Sequence, residues 1–295
     1  MKSKLFLKRE DILGEGILCL PEANSIAWVD ILAKKLMLSD SNGNNIKVFI
    51  QPSEIGAVLP SITDELILVL RNSITSFNIL NSSYREIWSA AKTEPKSNRF
   101  NDATIDRLGN LWVGSMDFDA KSPSGTLYRI TPEGEAKVME TGFKCINGPA
   151  FSIDGKTIYV ADTMNGKILA FDHNPICGSL KNKRVHIDFG IFDGLPDGMT
   201  VDAKDNLWVC QITAGRVSCF DRRGVKLNSF AVPVPMVTSC CFGGADLTSI
   251  YLTTARIILD GPDLKAFPDS GSIYSIENVG VGLRPNRFGE KTLHV

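Results

Sequence analysis

The sequence predicts an all-β chain folded as a six-bladed β-propeller, with four strands to each blade. Turn-forming residues recur roughly every eight to twelve positions with no long amphipathic helical pattern between them, which is the spacing of short antiparallel strands. Six apolar strand cores also recur through the chain: 26–30 (IAWVD), 66–69 (LILV), 111–115 (LWVGS), 158–162 (IYVAD), 207–211 (LWVCQ) and 250–254 (IYLTT). Their starts are separated by 40, 45, 47, 49 and 43 residues, and a four-stranded propeller blade takes about 40–50.

The fullest unit is 195–211 (LPDGMTVDAKDNLWVCQ). Met199, Val201 and Ala203 alternate with Thr200 and Asp202 at strand period. Lys204, Asp205 and Asn206 supply turn chemistry, and 207–210 is a buried strand run. Asp197 is expected just before the first of these strands, between a proline and a glycine. Later strands complete the units. The third unit adds 125–130 (GTLYRI) and 135–139 (EAKVM), and the fourth adds 167–171 (KILAF) and 184–188 (RVHID). The fifth adds 216–220 (RVSCF) and 226–230 (KLNSF). The sixth has 271–276 (GSIYSI) and an irregular tail ending in 284–288 (RPNRF). The alternating stretch 4–8 (KLFLK) has no blade of its own. It is expected to complete the last blade, covering an open sheet edge. With no linker or low-complexity segment, residues 1–295 read as one domain.

Composition narrows the function. The chain has 295 residues, 43% hydrophobic and 22% charged, with a formal net charge of -1. That balance gives no electrostatic case for nucleic acid or an anionic membrane. No apolar run approaches the roughly 18–20 residues of a membrane span, and the charged N-terminus lacks a signal-peptide core. Seven cysteines without a CxxC spacing argue against a disulfide framework or a thiolate zinc site, and suit a reduced, cytoplasmic protein.

Innermost strands of a propeller line one central channel, so equivalent positions in different blades converge on one axis. Counted back from the aromatic residue of the second strand, Glu15 lies 13 before Trp28 and Asn101 lies 11 before Trp112. Asn147 lies 12 before Tyr159, and Asp197 lies 11 before Trp208. The second and sixth units offer Gly56 and Ser239 in the same neighbourhood. Carboxylates and amides crowded at one mouth repel or lose hydration unless a cation joins them. Oxygen donors select a hard ion such as Ca²⁺, Mg²⁺ or Mn²⁺. Glu15, Asn147 and Asp197 are therefore the expected metal ligands. The three histidines, His173, His186 and His294, fall on outer strands or at the terminus, which weakens a Ser-His-Asp or histidine-rich metal reading.

Several segments together resemble the gluconolactonase, regucalcin and luciferin-regenerating-enzyme family of six-bladed propellers. They are 13–16 (LGEG) with 28–31 (WVDI), 99–102 (RFND), 106–116 (DRLGNLWVGSM), 147–152 (NGPAFS), 195–199 (LPDGM), 253–256 (TTAR) and 282–285 (GLRP). The resemblance implies one divalent cation (Ca²⁺, Mn²⁺, Mg²⁺ or Zn²⁺) on Glu15, Asn147 and Asp197. It implies a substrate group of Arg99, Asn101 and an acidic residue within 116–120 (MDFDA), where counting favours Asp119 over Asp117. Relatives with glutamate at that point would reach further, so the sugar-hydroxyl contact differs here.

These parts imply a metal-dependent hydrolase opening a sugar lactone, a small-molecule substrate, to its aldonic acid. Asp197 is the expected general base, with Glu15 as the other candidate. Two further readings stay open on the same site. One is hydrolysis of a non-sugar lactone or phosphotriester, which an apolar rim around Phe118, Met164 and Ile212 would suit. The other is a non-enzymatic metal-binding regulatory protein.

Overall fold

The computed structural model of the chain describes residues 2–190 and 193–291. Each unit folds as a four-stranded antiparallel sheet, and six such sheets surround one axis. The first blade runs outward from Gly14–Leu20 through Ser25–Asp30 and Lys35–Asp40 to Lys47–Ile50. The innermost strands of the other five are Ile55–Pro60, Asn98–Ile105, Ile146–Phe151, Leu195–Val201 and Val237–Gly243. The expected closure holds. Lys4–Leu7 is the outermost strand of the sixth blade, with Lys4 opposite Ser275 and Leu5 opposite Tyr274. First and last segments thus share one sheet, and the ring is fastened without a loose edge.

Inner and second strands are apolar on both faces because each blade is packed between two others. The core is accordingly six separate clusters, one at each blade–blade seam. Trp112, for example, joins Ile146, Ile158 and Phe171 across the seam of the third and fourth blades. Outer strands face water, and Leu180–Asp188 carries mostly exposed charged and polar side chains.

Two expectations shift in detail, and the irregular tail finds its place. The outer strand of the fourth blade begins at Leu180 rather than 184, because its hairpin partner extends to His173. In the sixth blade an Asp260/Asp263 capping box starts a short helix, Gly261–Ala266, that apolar periodicity does not announce. The tail at 284–288 forms no strand of a blade. It crosses the end of the channel instead, where Asn286 Nδ2 donates to the Ile105 carbonyl (2.8 Å) and Arg287 Nε to that of Ser61 (2.7 Å). Among the described residues no helix is long and apolar enough to cross a membrane.

Three blades repeat one polar lock. The indole Nε1 of the buried residues Trp28, Trp112 and Trp208 donates to Asp11, Asp106 and Asp202, each at 2.9 Å. Asp106 and Asp202 also accept backbone N–H groups two and four residues ahead, which folds the turn to the second strand. A single carboxylate thus shapes the hairpin and satisfies a buried indole. Asp202→Ala strands that donor, so urea unfolding should register a loss of about 2 kcal/mol. A change below about 0.5 kcal/mol would contradict the lock.

Candidate active site

The polar residues converge because every innermost strand is interrupted at the same level. Pairing with the second strand slips between Glu15 and Leu18, Ile55 and Ala57, and Phe100 and Ala103. It slips again between Asn147 and Ala150, Pro196 and Met199, and Val237 and Cys240. A bulge re-aims side chains that regular alternation would send into the seams. Asp197 accordingly lies within the strand Leu195–Val201, not ahead of it as its neighbouring proline and glycine suggested.

At this level the six strands touch in a closed ring. Gly56 has no room for a side chain, since a Cβ there would sit 1.9 Å from the Asn101 carbonyl oxygen. Gly148 (φ +47°) donates to Asp102 Oδ2 at 2.6 Å and presses its Cα side against the Asp197 carbonyl. Gly198 lies against Ser239, and Thr238 Oγ1 donates to the Gly14 carbonyl at 2.5 Å.

Inside the ring, Glu15, Arg99, Asn101, Asn147 and Asp197 are all buried. Arg99 Nη1 donates to Asn101 Oδ1 (2.5 Å) and to its own neighbour's carbonyl at Phe100 (3.1 Å). Asn101 Nδ2 donates to Asn147 Oδ1 and to the Ile146 carbonyl (2.9 Å), while Asn147 Nδ2 donates to Thr163 Oγ1 (3.0 Å). This relay fixes Asn147 with its oxygen on the Asn101 side. Glu15 and Asp197 share a hydrogen bond, and Gly16 N donates to Glu15 Oε2 at 3.0 Å. Asp197 Oδ1 is buried and receives no N–H or O–H donor.

Electrostatics sharpen the picture. Burial, then repulsion from Asp102, raises Glu15 to about 8, with Arg99 acting in the opposite direction. Burial and the charges of Glu15 and Asp102 hold Asp197 well above the carboxylate range. Asp102 itself is raised to about 6 by burial, against two backbone N–H donors. Three acids in one dry ring thus resist ionising together. Among the described residues no three His, Cys, Asp or Glu side chains cluster as metal ligands. An oxygen-donor site here therefore needs the Asn147 amide as its third member. The residues fit a hard cation: Asp197 offers a free oxygen, Glu15 a carboxylate short of countercharge, and Asn147 a carbonyl with a second lone pair.

The acidic pair named from 116–120 stands apart from this ring. Asp117 Oδ2 accepts from Lys121 N (2.9 Å) and Ser122 N (3.1 Å), which holds the turn. The Asp119 side chain is 63% exposed and paired with Lys121 at 3.0 Å. Both line an open cavity of about 330 Å³ together with Arg71, Ser97 and Phe118. His173 packs on Trp112 and Phe151 and its Nδ1 meets the Gly155 carbonyl, while His186 packs on Tyr159. His294 lies outside the described residues. From the sequence Asp102 reads as a blade or turn hydrogen-bonding residue, which its bonds from Ala103 N and Gly148 N bear out, and Thr163 is passed over. The adjacency of Asp102 to Asn101 was its one signal, and Thr163 enters only through the strand it follows.

The raised acids give a sign to test. From about pH 4.5 to 8 the metal-free folded chain keeps protons that the unfolded chain has released, so these groups lower stability as pH rises. A cation in their place offsets the loss. The gain in Tm on moving from chelator to Ca²⁺ should therefore be larger at pH 8 than at pH 5, and Asp197→Asn should shrink it. An equal gain at both pH values would contradict this.

Comparisons with known proteins agree with the fold. Residues 13–256 match the SMP-30/gluconolactonase/LRE-like region. The chain is 30% identical over 278 residues to a Bacillus subtilis (strain 168) protein named "Putative sugar lactone lactonase YvrE", covering 94% of this chain and 95% of that one. It is 29% identical over 293 residues to regucalcin of Danio rerio, covering 98% of each. The crystal structure of regucalcin from Agrobacterium tumefaciens str. C58, described as a calcium-binding protein, superposes with a TM-score of 0.91 over 96% of both chains at 22% identity, which speaks to the fold. With residues 13–256 matched by its model, the chain belongs to the SMP-30/gluconolactonase/LRE-like family.

Proposed function

We propose that the protein is a divalent-cation-dependent hydrolase that opens a sugar lactone to the aldonic acid. Membership of a gluconolactonase-like family and a lactonase-named relative support lactone hydrolysis in general. The observation that carries the finer reading is the Oδ1 of Asp197, which receives no N–H or O–H donor, in a buried acid pair beside Arg99 and the asparagine relay.

Glu15, Asn147 and Asp197 are the residues assigned to hold the cation. When bound, such an ion supplies Lewis-acid polarisation of an ester carbonyl. Arg99, buried and rigidly donated into the relay, has further N–H groups to hold the ring oxygen or carbonyl oxygen of the lactone. Asn101 keeps Arg99 and Asn147 in register. Asp197 takes a proton from the water that attacks the carbonyl carbon. The ester C–O bond of the ring then breaks, and that proton returns to the departing oxygen to give the hydroxy acid. Glu15 shares the charge of Asp197 through their hydrogen bond, which fits it better to support than to act as base. One acid of 116–120 is assigned to orient a substrate hydroxyl, Asp119 being favoured as the more exposed and Asp117 the alternative.

A second reading is metal binding without turnover; the description of the Agrobacterium regucalcin structure as a calcium-binding protein favours its metal-binding half. A panel of aldonolactones offered to chelated protein, then to protein restored with Ca²⁺, Mg²⁺, Mn²⁺ or Zn²⁺, separates the two. The proposal expects hydrolysis that chelation abolishes and one of these ions restores. Asp197→Ala should cut kcat at least about 100-fold while leaving the fold intact by circular dichroism. Cation binding with no turnover on the whole panel would favour the second reading, and parental turnover by Asp197→Ala would remove Asp197 as base.

A further inference from the structure

Sequence reasoning did not single out Arg71. Its carbonyl accepts from Phe100 N at 2.7 Å, which ties it to the residue between Arg99 and Asn101 although it belongs to the preceding blade. Its guanidinium carbon lies 5.2 Å from the centre of the Phe118 ring, and that of Arg99 lies 5.9 Å from the same ring. Phe118 is held there by its N–H on the Ser97 carbonyl (2.9 Å) and is 37% exposed. The two cations therefore share one aromatic wall, Arg99 in the buried ring and Arg71 in the open cavity outside it.

Arg71 is lightly committed. Its guanidinium forms a long ion pair with Glu54, Nη1 to Oε2 at 3.4 Å, and Nη2 reaches the Lys96 carbonyl at 3.5 Å, which leaves the rest of its five N–H donors for a ligand. Glu54 is shared with Lys34 at 3.7 Å. The acids of the same cavity carry their own partners, Asp117 accepting from backbone N–H groups and the exposed Asp119 paired with Lys121. What remains available is a planar fork of donors on a half-exposed cation, the geometry that receives a carboxylate or phosphate in two parallel hydrogen bonds.

We propose that Arg71, backed by Phe118, is an oxyanion subsite that selects lactones carrying a carboxylate or phosphate at the end remote from the ring ester. The chemistry on such a substrate rests on the lactonase reading; the binding does not. Metal-loaded full-length protein is titrated calorimetrically with three acids that share one terminus: gluconate, glucarate and 6-phosphogluconate. The subsite predicts that glucarate, 6-phosphogluconate or both bind at least about tenfold more tightly than gluconate, and that Arg71→Met erases the difference. Arg71→Lys should restore only part of it, because the charge returns without the fork. The two anionic arms tell a carboxylate-directed subsite from a phosphate-directed one. Equal affinity for all three acids, or a preference that Arg71→Met retains, overturns the proposal. Turnover of the corresponding lactones is measured alongside. Anion preference through Arg71 without turnover removes the lactonase reading and keeps the subsite. Turnover without such preference does the reverse.

Discussion

How closely six inner strands approach one another around a single axis decides everything else in this molecule. Regular strands would send alternate side chains into the blade seams and leave the channel lined by whatever the period dictated. The bulge in each inner strand breaks that period at one level, and contacts such as Gly56 on Asn101 and Gly148 on Asp102 draw the backbones together there. Glu15, Asn147 and Asp197, each buried and each from a different blade, consequently lie at the bulged level of their inner strands. The six apolar seams supply the stability that lets this polar centre exist.

The centre is held in tension by its own charges. Burial and mutual repulsion push Glu15 and Asp197 upward, and Arg99 offsets only part of that. A ring of this kind is poorly balanced when left to itself and well suited to a hard cation, which removes the repulsion and uses the spare oxygen of Asp197. Under the proposed function, the same imbalance that costs stability would supply reactivity at a polarised carbonyl. Outside the ring the chemistry changes character: Arg71, Phe118 and Asp119 are partly exposed and loosely held, as suits recognition of a substrate's variable end.

Much of this was legible in the chain. The six strand cores at near-constant spacing foretold the blades, and 4–8 foretold the closing strand, because both follow from local apolar pattern and the need to cover an edge. Counting back from the second-strand aromatic found Glu15, Asn101, Asn147 and Asp197, since the bulge sits at nearly the same distance in each blade. What could not be read arises between blades. Arg71 meets Phe118 across a seam, and no periodicity within one blade encodes that contact. The tail at 284–288 could be read only as irregular, because its partners, Ile105 and Ser61, lie far back in the chain. Asp119 matched the expected acid by count, yet its side chain turns to Lys121, a choice made by the local turn.

The central claim is that one cation joins three blades. Crystals grown with Mn²⁺ and measured by anomalous diffraction test it directly. The account predicts a single strong peak about 2.0–2.6 Å from an oxygen of each of Glu15, Asn147 and Asp197. Ordered side chains with no peak among them, or a peak held by other residues, would contradict it.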